Sequence, residues 1–344
     1  MGNLTILIDA NSIGYACHHA TKLSINGQQT QAILGFIKVM RQLRMSYPAA
    51  SMLALWDGRA EFRYDLHPGY KGDRNSTPKQ QAEHEAYKSQ QPLIQRALTL
   101  LGITQMRAKN LEADDLAGVF VKRLMSVAGN TVLLISGDVD WVQLVREGVT
   151  WRDLREDTRI ITMGNFFEKT GYKTPYAFLQ GKCLHGDTSD CISGVGGIGE
   201  GTAPLLLAEH GSVQNFWKKC DEGTYEPRTK AERSLWQGNS EFTKEEWEKQ
   251  FIYVQDPTLS VEDNEKARKK ALKKHKDAYV GQGRILFGRN LKLMQLLVPQ
   301  PLDKSKLVLT KGAFNRDEFA DFCGEFAFMS ILKGLDNFVQ PFKH

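Results

Sequence analysis

The chain has 344 residues, 41% apolar and 25% charged, with a formal net charge of +5 and 5 cysteines. This is ordinary globular composition with length for a substantial core, and the mild positive charge is only a weak pointer to an anionic partner. Cys17, Cys183, Cys191, Cys220 and Cys323 are widely spaced and lack zinc-site spacing, no apolar run approaches a membrane span and no signal-peptide pattern opens the chain, so reduced thiols in a cytoplasmic protein are expected.

In chain order, Thr5–Asp9 reads as a strand buried on both faces, because it is almost continuously apolar. Ile33, Phe36, Ile37, Met40 and Leu43 then recur at helical spacing, and Met52–Asp57 reads as a second buried strand. Residues 58 to 110 break this rhythm with a long polar connection, which contains a helix start at Thr77-Pro78 and another near Pro92. A helix from about Asp114 to Met125 and a strand at Thr131–Ser136 follow. Strands alternating with helices predict an α/β fold with a central, mostly parallel sheet flanked by helices. After residue 170 the pattern becomes mainly helical, with a Gly-rich turn at Gly194–Gly201 and a polar, charged insertion at about 221–283. Two parts are therefore expected, an α/β core over 1–170 and a helical part over 171–344.

The acidic residues are placed where such a fold concentrates chemistry. Asp9 and Asp57 end the first two strands, and Asp138 and Asp140 follow the third. Ligand sites in open α/β sheets lie outside the carboxyl ends of the strands. Glu112, Asp114 and Asp115 precede a helix and can join them, while Asp187 and Asp190 share a turn or helix face. Any one of these reads alone as a helix cap or turn residue. As a set they repel one another and call for cations, and oxygen-only ligation favours Mg²⁺ or Mn²⁺ over zinc.

The motifs resemble those of the flap endonuclease and 5′–3′ exonuclease family, most nearly the standalone 5′ nucleases of bacteriophages. In order they are Leu7-Ile8-Asp9, Trp56-Asp57-Gly58, Tyr70-Lys71-Gly72-Asp73-Arg74, Glu112-Ala113-Asp114-Asp115, Ser136-Gly137-Asp138-Val139-Asp140-Trp141, Gly186-Asp187-Thr188-Ser189-Asp190 and Gly194-Val195-Gly196-Gly197-Ile198-Gly199. The resemblance covers roughly residues 4 to 218 and implies a PIN-like fold and a structure-selective, two-metal DNA nuclease of replication, repair or primer removal. By this resemblance Asp9, Asp57, Glu112 and Asp114 hold one ion with Asp115 close by, and Asp138, Asp140, Asp187 and Asp190 hold a second. Cys191 and Ser193 depart from the Asn and Pro usual in the family, which puts the local turn geometry in doubt rather than any ligand.

The resemblance also implies a helical arch at about 73–101, with Tyr70 stacking on an unpaired base and Lys71 and Arg74 binding phosphates near the cleaved bond. It makes residues 184–211 a helix–hairpin–helix, in which Gly194, Val195, Gly196, Gly197, Ile198, Gly199 and Thr202 grip duplex DNA and carbonyls hold K⁺. Lys269, Lys270, Lys273 and Lys274 in the basic insertion read either as a solvated helix face or as a contact to the DNA backbone. The expected partners are DNA with 5′ ends, flaps or nicks, and RNA in RNA–DNA primers, for a monomer acting in the cytoplasm. The rivals are a PIN-type ribonuclease and a junction-binding protein with an inactive site.

Overall fold

The three apolar segments become the middle of a seven-stranded sheet in a computed structural model that describes residues 3–74, 76–297 and 302–343. Asn75, inside the expected arch, lies outside the described residues. The chain divides into two units, Met1–Thr170 with Gln295–His344, and Gly171–Met294.

In the first unit the order is β1 (Leu4–Asp9), α1 (Ala10–Ala20), a small hairpin of β2 (Ser24–Ile25) and β3 (Gln28–Gln29), α2 (Gln31–Ser46), β4 (Ser51–Trp56), α3 (Glu61–Leu66), α4 (Pro78–Lys88) and α5 (Gln91–Leu100). It continues with β5 (Thr104–Ala108), α6 (Ala113–Leu124), β6 (Thr131–Ile135), β7 (Val149–Arg152), β8 (Ile160–Ile161) and α7 (Phe166–Thr170). The second unit holds α8 (Pro175–His185), a hairpin of β9 (Gly186–Asp187) and β10 (Ile192–Ser193), α9 (Ala203–His210), α10 (Val213–Asp221), α11 (Lys230–Gln237), α12 (Lys244–Lys249), α13 (Val261–Asp277) and α14 (Gly283–Met294). The chain then re-enters the first unit with β11 (Leu307–Thr310), α15 (Arg316–Glu325), α16 (Met329–Leu332) and α17 (Leu335–Val339).

The sheet order is β11-β5-β4-β1-β6-β7-β8. β1 pairs in parallel with β4 and β6, while β11 and β8 run antiparallel at the two edges. Ile6, Leu7 and Ile8 of the central strand are fully buried, as a strand covered on both faces requires. Because β1, β4 and β6 are parallel and adjacent, their carboxyl ends open on one edge.

Two expectations need correction. Residues 295–344 belong with the first unit and not with the helical part. β11 extends the sheet through its pairing with β5, and Phe319, Phe322, Phe326, Phe328 and Ile331 complete the same apolar core as α2 and α5. Within the segment 73–101 the expected polar character holds for α4 and not for α5. A capping box between Thr77 and Gln80 starts α4, which is mostly exposed, whereas α5 buries Ile94, Ala97, Leu98 and Leu100.

The second unit is organised by its own contacts. Asn290 donates to the carbonyls of Cys183 and Ser193, tying α14 to α8 and β10. In the insertion, Trp247 on α12 stacks on His275 of α13 at 4.9 Å, and each ring bonds the other residue's carbonyl.

Leu98→Ala should therefore cost about 2–5 kcal/mol of stability in urea unfolding, as for other core truncations. A residue carried outside the core would cost no more than about 0.5 kcal/mol.

Candidate metal centre and nucleic-acid interface

The carboxylates are set by strand ends and helix starts. Asp9 is the last residue of β1 and the N-cap of α1, where its Oδ1 accepts the Ser12 N–H at 2.9 Å. Its Oδ2 accepts the Ser136 hydroxyl at 2.6 Å, and that same Oγ accepts the Asp138 N–H at 2.9 Å. Ser136 thus fixes one carboxylate and the start of the loop carrying another. Asp57 follows β4 directly and accepts the Ala113 N–H at 2.8 Å. Asp114, in the first turn of α6, accepts the Trp141 indole N–H at 2.6 Å. Asp138 caps a short 3₁₀ helix, Val139–Leu144, by accepting the Asp140 N–H at 2.8 Å, and Asp140 is half-buried in its first turn.

The electrostatics show which of these groups face one another. Burial, then Asp57 and more weakly Asp138, push the Asp9 carboxyl up to about 7. Burial, then Asp138, Asp9, Asp57 and Glu112, hold Asp114 well above the ordinary carboxylate range. Glu112 moves the other way: burial raises it, but Lys71 and Arg63 outweigh burial and leave it below its usual value. Asp9, Asp57, Glu112, Asp114 and Asp138 therefore form one mutually repelling set. An all-carboxylate set in which Asp9 and Asp114 resist ionisation fits a hard divalent cation, which would remove that resistance.

The remaining candidates are placed differently from what their motifs implied. Asp115 is held by Arg63, which takes both of its oxygens at 2.7 Å, and it also accepts the Glu112 N–H at 3.0 Å. Tyr70 cannot stack on a base, since it is 3% exposed and its hydroxyl donates to Glu112 at 2.9 Å. Lys71 reaches Glu112 Oε1 at 2.6 Å from a left-handed backbone position, φ +54°. Arg74 is exposed in the turn that follows. Arg63, Asn11, Ser12 and Ser136 were missed as site residues. Only an Arg buried at 2% exposure marks the first of these, and burial is not visible in sequence.

Asp187 and Asp190 lie in the β9–β10 turn of the second unit. Asp187 pairs with Lys182 at 3.1 Å and accepts both the N–H and the hydroxyl of Ser189. Cys191, where the family has Asn, sits at φ +58°, a left-handed position that Asn tolerates better than most residues. The glycine-rich turn lines an open groove of 510 Å³ with Gly194, Gly196, Gly197, Gly199 and Thr202. Val195 and Ile198 are buried and can offer a ligand only backbone groups. On α13, Lys269 pairs with Glu265 at 3.1 Å, and Lys270, Lys273 and Lys274 are exposed.

A different group, His18, His19 and Glu83, brings potential metal-ligand atoms within 4.8 Å of one another. The hydrogen bonds argue against a metal there. Gln90 accepts the Ala32 N–H at Oε1 and donates from Nε2 to the Ala86 carbonyl, so the amide group 3.1 Å from His18 Nδ1 is a donor. Nδ1 is then the acceptor and Nε2 carries the proton, pointing at Glu83 3.2 Å away. The ring nitrogen that faces Glu83 is then protonated and has no lone pair to offer a metal.

Residues 4–171 match the family described as 5′–3′ exonuclease, N-terminal resolvase-like domain. The chain is 33% identical over 218 residues to a thermostable DNA polymerase I of Thermus filiformis, covering 63% of this chain and 25% of that protein. It is 34% identical over 223 residues to DNA polymerase I of Bacillus subtilis (strain 168), covering 63% and 24%. It thus spans about a quarter of the length of these curated relatives. Among solved structures, a T5 5′-exonuclease with bound divalent metal ions (zinc) aligns with a TM-score of 0.60 at 19% identity, over 99% of this chain and 98% of that one. The catalytic core of Rad2 in complex with DNA substrate aligns at 0.56 and 15% identity, over 99% and 93%. These two likenesses speak to the fold alone. The similarity to the flap endonuclease and 5′–3′ exonuclease family thus rests on residues 4–171, just under half of the chain.

Asp9 gives a pH prediction. Its folded pKa is raised from 3.8 to about 7, so its contribution to stability is full below the unfolded value and is lost as pH rises toward 7. In thermal unfolding with EDTA, Asp9→Asn should therefore gain stability relative to the parent between pH 5 and pH 8. A constant difference across that range would remove the repulsion argument. Cys191→Asn should stabilise the hairpin turn by up to about 1 kcal/mol in denaturant unfolding, because it relieves a left-handed Cys.

Proposed function

We propose that the chain is a structure-selective 5′ nuclease, a 5′→3′ exonuclease and flap endonuclease that hydrolyses DNA phosphodiesters in replication, repair or primer removal. The observation that carries this reading is one mutually repelling set of carboxylates at the sheet edge, with Lys71 in contact with one of them. Two bound Mg²⁺ or Mn²⁺ ions would supply an activated water and neutralise charge on the leaving oxygen. Asp9, Asp57, Glu112 and Asp114 hold the first ion, and Asp138 and Asp140 serve the second. For Asp187 and Asp190 a metal-binding role is proposed on the motif alone.

Lys71 neutralises Glu112 in the DNA-free protein and exchanges that contact for the phosphate being cut. Its compact ammonium suits this exchange, while Arg74 clamps a neighbouring phosphate. Arg63 keeps Asp115 and Glu112 in place throughout, because a buried, bidentate pair does not open without leaving charges unpaired. The exposed faces of α4 line the path of a 5′ single strand. The glycine-rich turn grips duplex phosphates through backbone N–H groups and coordinates K⁺ through its carbonyls. Lys270, Lys273 and Lys274 bind the duplex backbone as well, with Lys269 shared with Glu265. Substrates include RNA in RNA–DNA primers, and the protein acts as a cytoplasmic monomer.

End-labelled 5′-flap, nicked, blunt and single-stranded substrates, incubated with Mg²⁺, Mn²⁺ or EDTA, test this reading. Metal-dependent cutting near the flap junction is expected, whereas equal cutting of plain single-stranded RNA would favour a PIN-type ribonuclease. Lys71→Ala should lower single-turnover cleavage about 10²–10³-fold with little change in DNA affinity. Neutralising Lys270, Lys273 and Lys274 should flatten the salt dependence of duplex binding by about 0.9 in log–log slope for each phosphate left without its cation. An identical slope would leave these lysines as solvated charges.

A further inference from the structure

The first turn of α1 joins the carboxylate edge to the α4–α5 corner through a single side chain. Asn11 donates from Nδ2 to Asp57 Oδ2, and its Oδ1 accepts Gln91 Nε2 at 3.1 Å. Asp57 Oδ1 is already occupied by the Ala113 N–H, so the Asn11 bond completes the fixing of that carboxylate. The amide has one workable orientation. Turned over, it would set its oxygen against a carboxylate and its NH₂ against a second NH₂.

Gln91 is the first residue of α5, and its position is fixed by neighbours that themselves grip α1 and α2. The Tyr87 ring fills the space beside Gly14 of α1 so closely that a Cβ there would overlap it. Gln90 is fully buried, bonded to the Ala32 N–H and facing His18. Glu83 of α4 meets His18 from the other side. The corner thus has one defined seat on α1, and from that seat Gln91 holds Asn11 against Asp57.

We propose that Asn11 and Gln91 are positioning residues that set how tightly the Asp57 site binds its divalent ion, so that seating of the α4–α5 corner is coupled to metal occupancy. This rests on the reading of Asp57 as a metal ligand. Asn11 holds the Asp57 carboxylate in one rotamer, and Gln91 does the same for Asn11 while touching no carboxylate of the site. A segment that handles the single strand thereby acts on the metal through two neutral amides.

The experiment is a Mn²⁺ titration of the DNA-free full chain followed by thermal shift, with single-turnover cleavage across the same Mn²⁺ range. Asn11→Leu should raise the Mn²⁺ midpoint about 10–100-fold, as loss of an outer-shell partner does. Cleavage at saturating Mn²⁺ should remain within a few-fold of the parent. Gln91→Ala, at a half-exposed position where folding is not at stake, should move the midpoint in the same direction by less. The double variant should be no worse than Asn11→Leu alone. A lower metal-free Tm with an unchanged midpoint in both single variants would make these residues merely structural and overturn the proposal. A parent protein with no Mn²⁺-dependent shift would overturn the metal reading itself, and the proposal with it.

Discussion

Mutual repulsion among carboxylates at one edge of a parallel sheet is the constraint that the rest of the first unit answers. The parallel pairing of β1 with β4 and β6 brings Asp9, Asp57 and the Asp138 loop to the same edge, and the start of α6 adds Glu112 and Asp114. Nothing in such a set favours assembly, and Asp9 and Asp114 resist ionisation accordingly. The fold offsets the cost locally. Asp9 and Glu112 are N-caps, so two helices, α1 and α6, direct the positive ends of their dipoles at the cluster. The Ser12 N–H, the Ala113 N–H, the Ser136 hydroxyl and the Trp141 indole each donate to one carboxylate.

The two cations beside Glu112 divide the remaining work by chemistry. Arg63 is buried and bidentate to Asp115, with a further bond to Glu112 at 3.2 Å. Removing it would leave Asp115 buried without its cation and Glu112 with Lys71 alone, which makes it part of the fold. Lys71 lies at the solvent margin, stacked over Tyr70 and bonded through a single ammonium to Glu112. A point charge on a flexible stem can change partners, and a guanidinium locked between two carboxylates cannot. The neighbouring pair Tyr70-Lys71 thus splits into a buried support and an exchangeable charge.

The parts legible in the sequence were those where one physical demand overrides the others. β1, β4 and β6 are buried on both faces and read as apolar runs, and their terminal carboxylates followed by position. β5 was not legible, because Gln105 occupies a core position that is tolerable only once the Trp56 indole, the Thr99 hydroxyl and the Gln95 carbonyl satisfy its amide. The edge strands β8 and β11, and β7 beside β8, are too short for periodicity to mark. The pairing of Asp115 was not legible because its partner, Arg63, is 52 residues away in sequence. The return of residues 295–344 to the first unit depends on β11 finding β5, a long-range pairing that no local pattern encodes.

α1 is where these levels meet. A helix placed to cap Asp9 must present its next residues to whatever packs beside the carboxyl ends of the strands. Here that neighbour is the α4–α5 corner, admitted by Gly14, which leaves room for Tyr87. The same geometry that lowers the cost of one buried carboxylate therefore places Asn11 between another and the α4–α5 corner. With Ser12 accepting the Gly137 N–H from the far side, a single helical turn reaches β1, the β4 end and the β6 loop. A shift of α1 by a fraction of an ångström would disturb all three at once. Close seating of the corner on α1 is thus a condition for the placing of the Asp57 carboxylate as much as for the packing of α4 and α5.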